Sequence, residues 1–262
     1  MLNKIQWLAV VCFLSSLVSM QAYSQSTGSL FLSTGIQDFT GRDQGFSHQK
    51  YSGIRSMSTA TFQLHKPQKT ELFQFDFAYG PLKNRIGNSM NAMTIGFLTY
   101  TYYHKNKPEV KSLHWGWSNQ NLFNIRSHNG FSNYSLRYDY FSSLGPSVRY
   151  IMPLQWKGQH FEWHTLSHLQ VVGFQIKSGY IGANPDGYSG ENTIMGNFFE
   201  SMEPFIIGKD WNFGLTSSFY WELPSENKLG LNYRLDISGL QGIQPVASFG
   251  NALLLVLKVK LW

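Results

Sequence analysis

Large apolar side chains recur at every second position through most of this chain. The clearest stretch is residues 73–79, F-Q-F-D-F-A-Y, where aromatics alternate with Gln74, Asp76 and Ala78. A β-strand sends successive side chains to opposite faces, so this segment has one aromatic face and one polar face. In 136–152 the set Leu136, Tyr138, Tyr140, Leu144, Val148 and Tyr150 opposes Arg137, Asp139, Ser143, Gly145, Ser147 and Arg149. In 211–223, Trp211, Phe213, Leu215, Phe219 and Trp221 oppose Asn212, Gly214, Thr216, Ser218 and Glu222. In 229–238, Leu229, Leu231, Tyr233 and Leu235 oppose Gly230, Asn232, Arg234 and Asp236, and in 161–171 Phe161, Trp163 and Leu169 oppose Glu162, His164 and His168. Agreement at so many positions specifies half-buried strands.

Segments 29–39, 51–65, 90–104 and 110–125 read as further strands. The last, 250–262, puts Leu253, Leu255, Leu257, Val259 and Leu261 on one face and Lys258 and Lys260 on the other. The count is ten, or twelve if the long segment 176–210 holds another hairpin. Short links at 65–70, 104–109, 153–159 and 224–227 alternate with longer ones at 40–50, 81–91, 126–135, 176–210 and 239–249. The expected fold is therefore all-β: one antiparallel up-and-down barrel with short turns at the end that carries both termini.

Composition decides which face looks outward. Charged residues are 14% and aromatics 16% of the chain, where soluble domains average about 25% charged. Mean hydropathy is only −0.23, as expected when apolar and polar positions alternate and cancel. The polar face combines charges with very small residues such as Gly145, Ser147, Gly214 and Gly230, which suits a narrow interior. The apolar face is heavy in Trp and Tyr near strand ends, where a membrane barrel meets lipid headgroups. A transmembrane β-barrel with polar interior is the reading, in preference to a soluble barrel around a greasy ligand.

The N-terminus reads as an export leader. Lys4 precedes an apolar run over 7–18, and Ala22-Tyr23-Ser24 offers small residues before a cleavage point after Ser24. This gives a leader over 1–24 and a single barrel domain over 25–262. Cys12, the only cysteine, falls inside that leader, which leaves the mature chain without thiol chemistry. The formal charge of +6 drops to +5 without Lys4 and forms no basic block, so nucleic acid is not an expected partner.

Leader, repeated dyads and a closing strand that ends in Trp262 resemble the outer-membrane β-barrel proteins of Gram-negative bacteria. The resemblance implies a porin-like architecture, export by the general secretion pathway, insertion by the barrel-assembly machinery, and outer-membrane lipid as the surrounding partner. The chain departs from the pattern at its end. Counting back by twos from Trp262 meets Lys260 and Lys258, so Trp262 either lies one place beyond the apolar register or follows a bulge.

Candidate chemistry is sparse. Asp76, Arg137, Asp139, Arg149, Glu162, His164, His168, Glu222, Arg234 and Asp236 form an expected lumen charge network, with Arg149 and Glu162 as possible cross-strand neighbours. His164 and His168 stand four apart on a strand, about 13 Å, too far to share a metal. No inward serine follows His168 in a His-x-Ser arrangement, and Asp38, Asp43 and His48 lack a second acidic pair. No catalytic residue, metal or cofactor is expected. Residues 176–210 are the candidate lid or partner surface, through Tyr188, Phe198, Phe199 and Phe205, since long loops usually carry function. The expected role is non-enzymatic: structural, surface-binding or narrow transport. The alternative is an outer-membrane enzyme acting on lipid or peptide at the rim.

Overall fold

The computed structural model describes residues 26–44, 47–104, 112–128, 136–178, 196, 200–241 and 245–262. Twelve strands form one sheet: β1 (Thr27–Asp43), β2 (Ser47–His65), β3 (Lys69–Asn84), β4 (Ser89–His104), β5 (Ser112–Ser127), β6 (Leu136–Trp156), β7 (Gln159–Gln170), β8 (Val172–Lys177), β9 (Glu203–Ile206), β10 (Asp210–Glu222), β11 (Lys228–Leu240) and β12 (Val246–Lys260). Antiparallel pairing runs in sequence order from β1 to β7 and from β10 to β12, β7 pairs β10, and β1 pairs β12 to close the barrel. The wall has ten staves. The two extra strands, β8 and β9, pair with each other and prolong β7 and β10 rather than widening the barrel. Part of the expected long loop therefore belongs to the wall.

The strands are longer than the alternation alone indicates. β1 runs to Asp43 and β2 starts at Ser47, while β3 runs to Asn84 and β4 starts at Ser89, so strand takes up most of two expected loops. Asn84 makes the second turn, its Oδ1 accepting from the Ile86 and Asn88 amides at 3.2 and 2.8 Å. At the other end, β6 passes through Pro153 to Trp156, and Lys157 and Gly158, both with positive φ, form a two-residue hairpin turn.

β1 and β12 stay in one register from Ser29↔Lys260 to Asp43↔Val246 without a shift. The ladder continues through Leu261 and Trp262, whose backbone bonds to Gly28 at 2.9 and 3.1 Å. Leu261 and Trp262 thus both oppose Gly28, a two-against-one bulge that returns Trp262 to the outer face against the Phe62 ring at 6.1 Å. A second irregularity lies in the wall: β4 slips against β5 between Gly96 and Tyr100, and Leu98 there adopts φ 49°.

The faces divide as the alternation requires. Phe73, Phe75, Phe77 and Tyr79 are 36–48% exposed on the outside, while Asp76, Arg137 and Arg149 are at most 4% exposed within. Inward glycines let strands approach: a Cβ on Gly145 would stand 1.9 Å from the Leu169 carbonyl oxygen.

Candidate functional site

The lumen is crossed by layers of charge. Nearest the long-loop rim, Arg126 binds Asp43 at 2.7 Å and Asp139 at 2.6 Å, and Arg137 Nε lies 3.2 Å from Asp43. Asp43 reaches this layer because β1 extends past its alternating core and keeps odd positions inward. Asp38 falls on the opposite face and His48 is exposed, so the three do not form a cluster. Beside this layer Phe205 of β9, with no exposed surface, stacks on Phe141 at 6.5 Å among Leu122, Leu240 and Val246. Phe205 therefore plugs the mouth from inside. Tyr188, Phe198 and Phe199 lie outside the described residues.

Below comes Arg55. Its guanidinium donates to Gln37 Oε1 at 2.6 and 3.2 Å and to Thr94 at 3.0 Å, and it covers the Phe39 ring at 3.8 Å. A bar then spans the barrel: Arg234 binds Asp76 of the far wall at 2.9 Å and Asp236 of its own strand at 2.7 Å. Arg234 lines two polar chambers, one of about 70 Å³ towards the loop rim and one of about 100 Å³ towards the termini.

The last layer closes the lower chamber. Arg149 Nη2 donates to Gln63 at 3.1 Å and lies 3.4 Å from His164 Nδ1, and His164 Nε2 meets Glu162 at 3.0 Å. Lys228 binds Glu162 at 2.8 Å and Glu222 at 3.4 Å. Arg149 and Glu162 are not cross-strand neighbours: Arg149 faces Leu166 and Glu162 faces Pro153, so His164 joins them. His168 sits apart over Gly214, where a Cβ would come within 2.3 Å of its ring. Its Nε2 has no hydrogen-bond partner among the described residues. No group of three or more His, Cys, Asp or Glu there is placed to hold a metal.

The sequence-level network lacked Asp43, Arg55, Arg126 and Lys228. Asp43, Arg126 and Lys228 stand at strand ends that read as links or turn edges, and Arg55 lies in a strand whose inward face the alternation left open. Extending the parity of Gln37 to Asp43 along β1 would have found the first.

Outside, six tryptophans gather towards the terminal rim: Trp115, Trp117, Trp156, Trp163, Trp221 and Trp262, all exposed. Lys157 covers the Trp156 ring at 4.9 Å and Lys69 the Tyr102 ring at 5.7 Å. In the β10–β11 turn, the Lys260 ammonium hydrogen-bonds Glu226 and holds its carboxyl below the ordinary range. On β10 the outward face starts at Trp211 and ends at Trp221. Ten residues of tilted strand span about 25 Å, the height of a membrane barrel's apolar band.

No protein-family profile and no curated protein matches the chain. Among solved structures it is similar to the translocator domain of the autotransporter NalP from Neisseria meningitidis, at 9% identity and TM-score 0.35, over 97% of this chain and 96% of that one. The Pseudomonas aeruginosa protein OccK11 (OpdR) shows 9% identity and TM-score 0.21, over 90% and 96%. The P. putida toluene transporter TodX shows 7% identity and TM-score 0.24, over 90% of each chain. At these scores the likeness adds nothing to what the strand pairing shows.

Proposed function

We propose that this chain is an integral outer-membrane β-barrel of the Gram-negative type, non-enzymatic, with a lumen closed by paired charge. It acts as a rigid wall presenting its long-loop rim for surface binding, and any passage through it is of small-ion scale. The observation that carries this is the inversion of an ordinary soluble fold: leucines and aromatics face out while guanidinium–carboxylate pairs fill the axis. Outward hydroxyls and an indole N–H are satisfied within the wall, as hydrocarbon demands. Thr34 meets Ser58 at 3.2 Å, Ser56 donates to the Tyr79 carbonyl at 3.1 Å, and Trp163 donates to Ser217 at 2.8 Å.

The test is reconstitution of residues 25–262 into lipid vesicles and planar bilayers. The expected outcome is detergent- or lipid-dependent folding with no large ohmic steps. A folded monomer in plain buffer would overturn the membrane reading, and steps of a wide pore would overturn the closed lumen.

A further inference from the structure

Charge is not evenly balanced along the axis. Towards the loop rim, Arg126, Arg137 and Arg234 share the four carboxylates of Asp43, Asp76, Asp139 and Asp236. Around the lower chamber three cations, Arg149, Lys228 and Lys258, meet only Glu162 and Glu222. Both carboxylates are engaged by Lys228, and Lys258 stands over the Phe31 ring at 5.1 Å. Neither Arg149 nor Lys258 has an ion-pair partner among the described residues, and of the two it is Arg149 that lines the chamber. Arg149 is 4% exposed, has no carboxylate within 4.0 Å among the described residues, and hydrogen-bonds there through Nη2 alone.

A buried cation without a counter-charge is costly, and an anion beside it with its remaining lone pairs hydrogen-bonded offsets part of that cost. The chamber is built to receive one. Its wall mixes neutral hydroxyls and amides with apolar side chains, and the buried hydroxyls of Thr59 and Thr99, which can donate to an anion, have no partner among the described residues. No carboxylate other than the Arg234-bound bar borders it. About 100 Å³ holds a few water-sized groups, a water's share of liquid being about 30 Å³.

We propose that the lower chamber is a binding site for a small monovalent anion, such as a halide or nitrate, held on the Arg149 guanidinium and solvated by the surrounding hydroxyls and amides. Arg55 is not a second such site, because all three of its guanidinium nitrogens are engaged by Gln37 and Thr94 and its face is covered by the Phe39 ring. The proposal rests on the lumen geometry and stands whether or not the barrel conducts.

The experiment is ³⁵Cl NMR of the refolded barrel in zwitterionic detergent at pH 7, titrating chloride at ionic strength held constant with gluconate. Excess line broadening that saturates, and that nitrate competes away, is expected for the wild type. Arg149→Gln should weaken the apparent affinity more than tenfold, while Arg55→Gln leaves it within twofold. Absence of excess broadening in the wild type, or equal broadening in Arg149→Gln, overturns the proposal. Should Arg149→Gln fail to refold, judged by loss of its heat-modifiable gel band, wild-type crystals soaked in bromide decide the matter. An anomalous peak within about 4 Å of the Arg149 guanidinium, hydrogen-bonding range for a large halide, supports the site. A fully ordered guanidinium without one overturns it.

Discussion

Removing Arg234 tests the lumen bar most directly. Its guanidinium is the sole ion-pair partner of both Asp76 and Asp236 among the described residues. Arg234→Met keeps most of the apolar stem and leaves two carboxylates facing each other across the barrel. Breaking a buried pair by deleting one partner costs about 3–5 kcal/mol. The Asp76 side chain is 5% exposed and belongs at the top of that range; that of Asp236, 26% exposed, adds less because water screens it. The expected loss is about 4 kcal/mol in urea unfolding of the vesicle-inserted barrel, followed by tryptophan fluorescence. Asp76→Asn should cost more than Asp236→Asn. Arg234→Met combined with Asp76→Asn and Asp236→Asn removes every charge at once and should recover most of the loss. A single Arg234→Met variant within about 1 kcal/mol of wild type, in the range of an exposed pair, would refute the claim that this layer is desolvated.

Other substitutions probe separate parts of the structure. Leu255→Arg at the middle of the outer wall should cost about 2–4 kcal/mol of stability in bilayers and Trp156→Arg at the rim about 0–1 kcal/mol, measured by the same unfolding assay; equal costs would argue against a hydrocarbon surround. Phe205→Ala removes a fully buried ring from its stack on Phe141, a loss of about 3–5 kcal/mol locally. It should speed proteolysis between residues 178 and 200 without unfolding the lower barrel. Gly145→Val would drive a Cβ into the Leu169 carbonyl and should abolish refolding, visible as loss of the heat-modifiable band.

The barrel was legible in the sequence because two faces of unlike chemistry leave a period-two mark on each strand. Phe73–Tyr79 and Leu229–Ile237 have the orientation that their parity demands. Strand length was less legible, because outside the apolar band both faces of a strand meet water and alternation fades. That is why Asp43 and Arg126, on strand ends, read as loop residues although they anchor the outermost layer. Pairing across the lumen was not legible at all. Asp76 and Arg234 lie on β3 and β11, which do not pair with each other, and only closure of the barrel brings them to 2.9 Å. The β8–β9 hairpin hid for another reason: four residues from Glu203 to Ile206 are too few for a period to show.

Charge at the axis settles a problem that an apolar interior would leave open. A one-residue slip between neighbouring strands exchanges their inward and outward sets. If both faces of β3 were apolar, such a slip would lose little, since lipid and a greasy lumen are similar solvents. With Asp76 inside, the same slip sends a carboxylate into hydrocarbon, strands Arg234, and packs Phe73, Phe75 and Phe77 into a space lined by hydroxyls and amides. Buried ion pairs add little net stability over apolar packing, yet they penalise the wrong register by several kcal/mol. The charge-free variant of the Arg234 layer should therefore unfold at nearly the wild-type urea concentration but fold to more than one register, seen as doubled amide signals for β3 and β11.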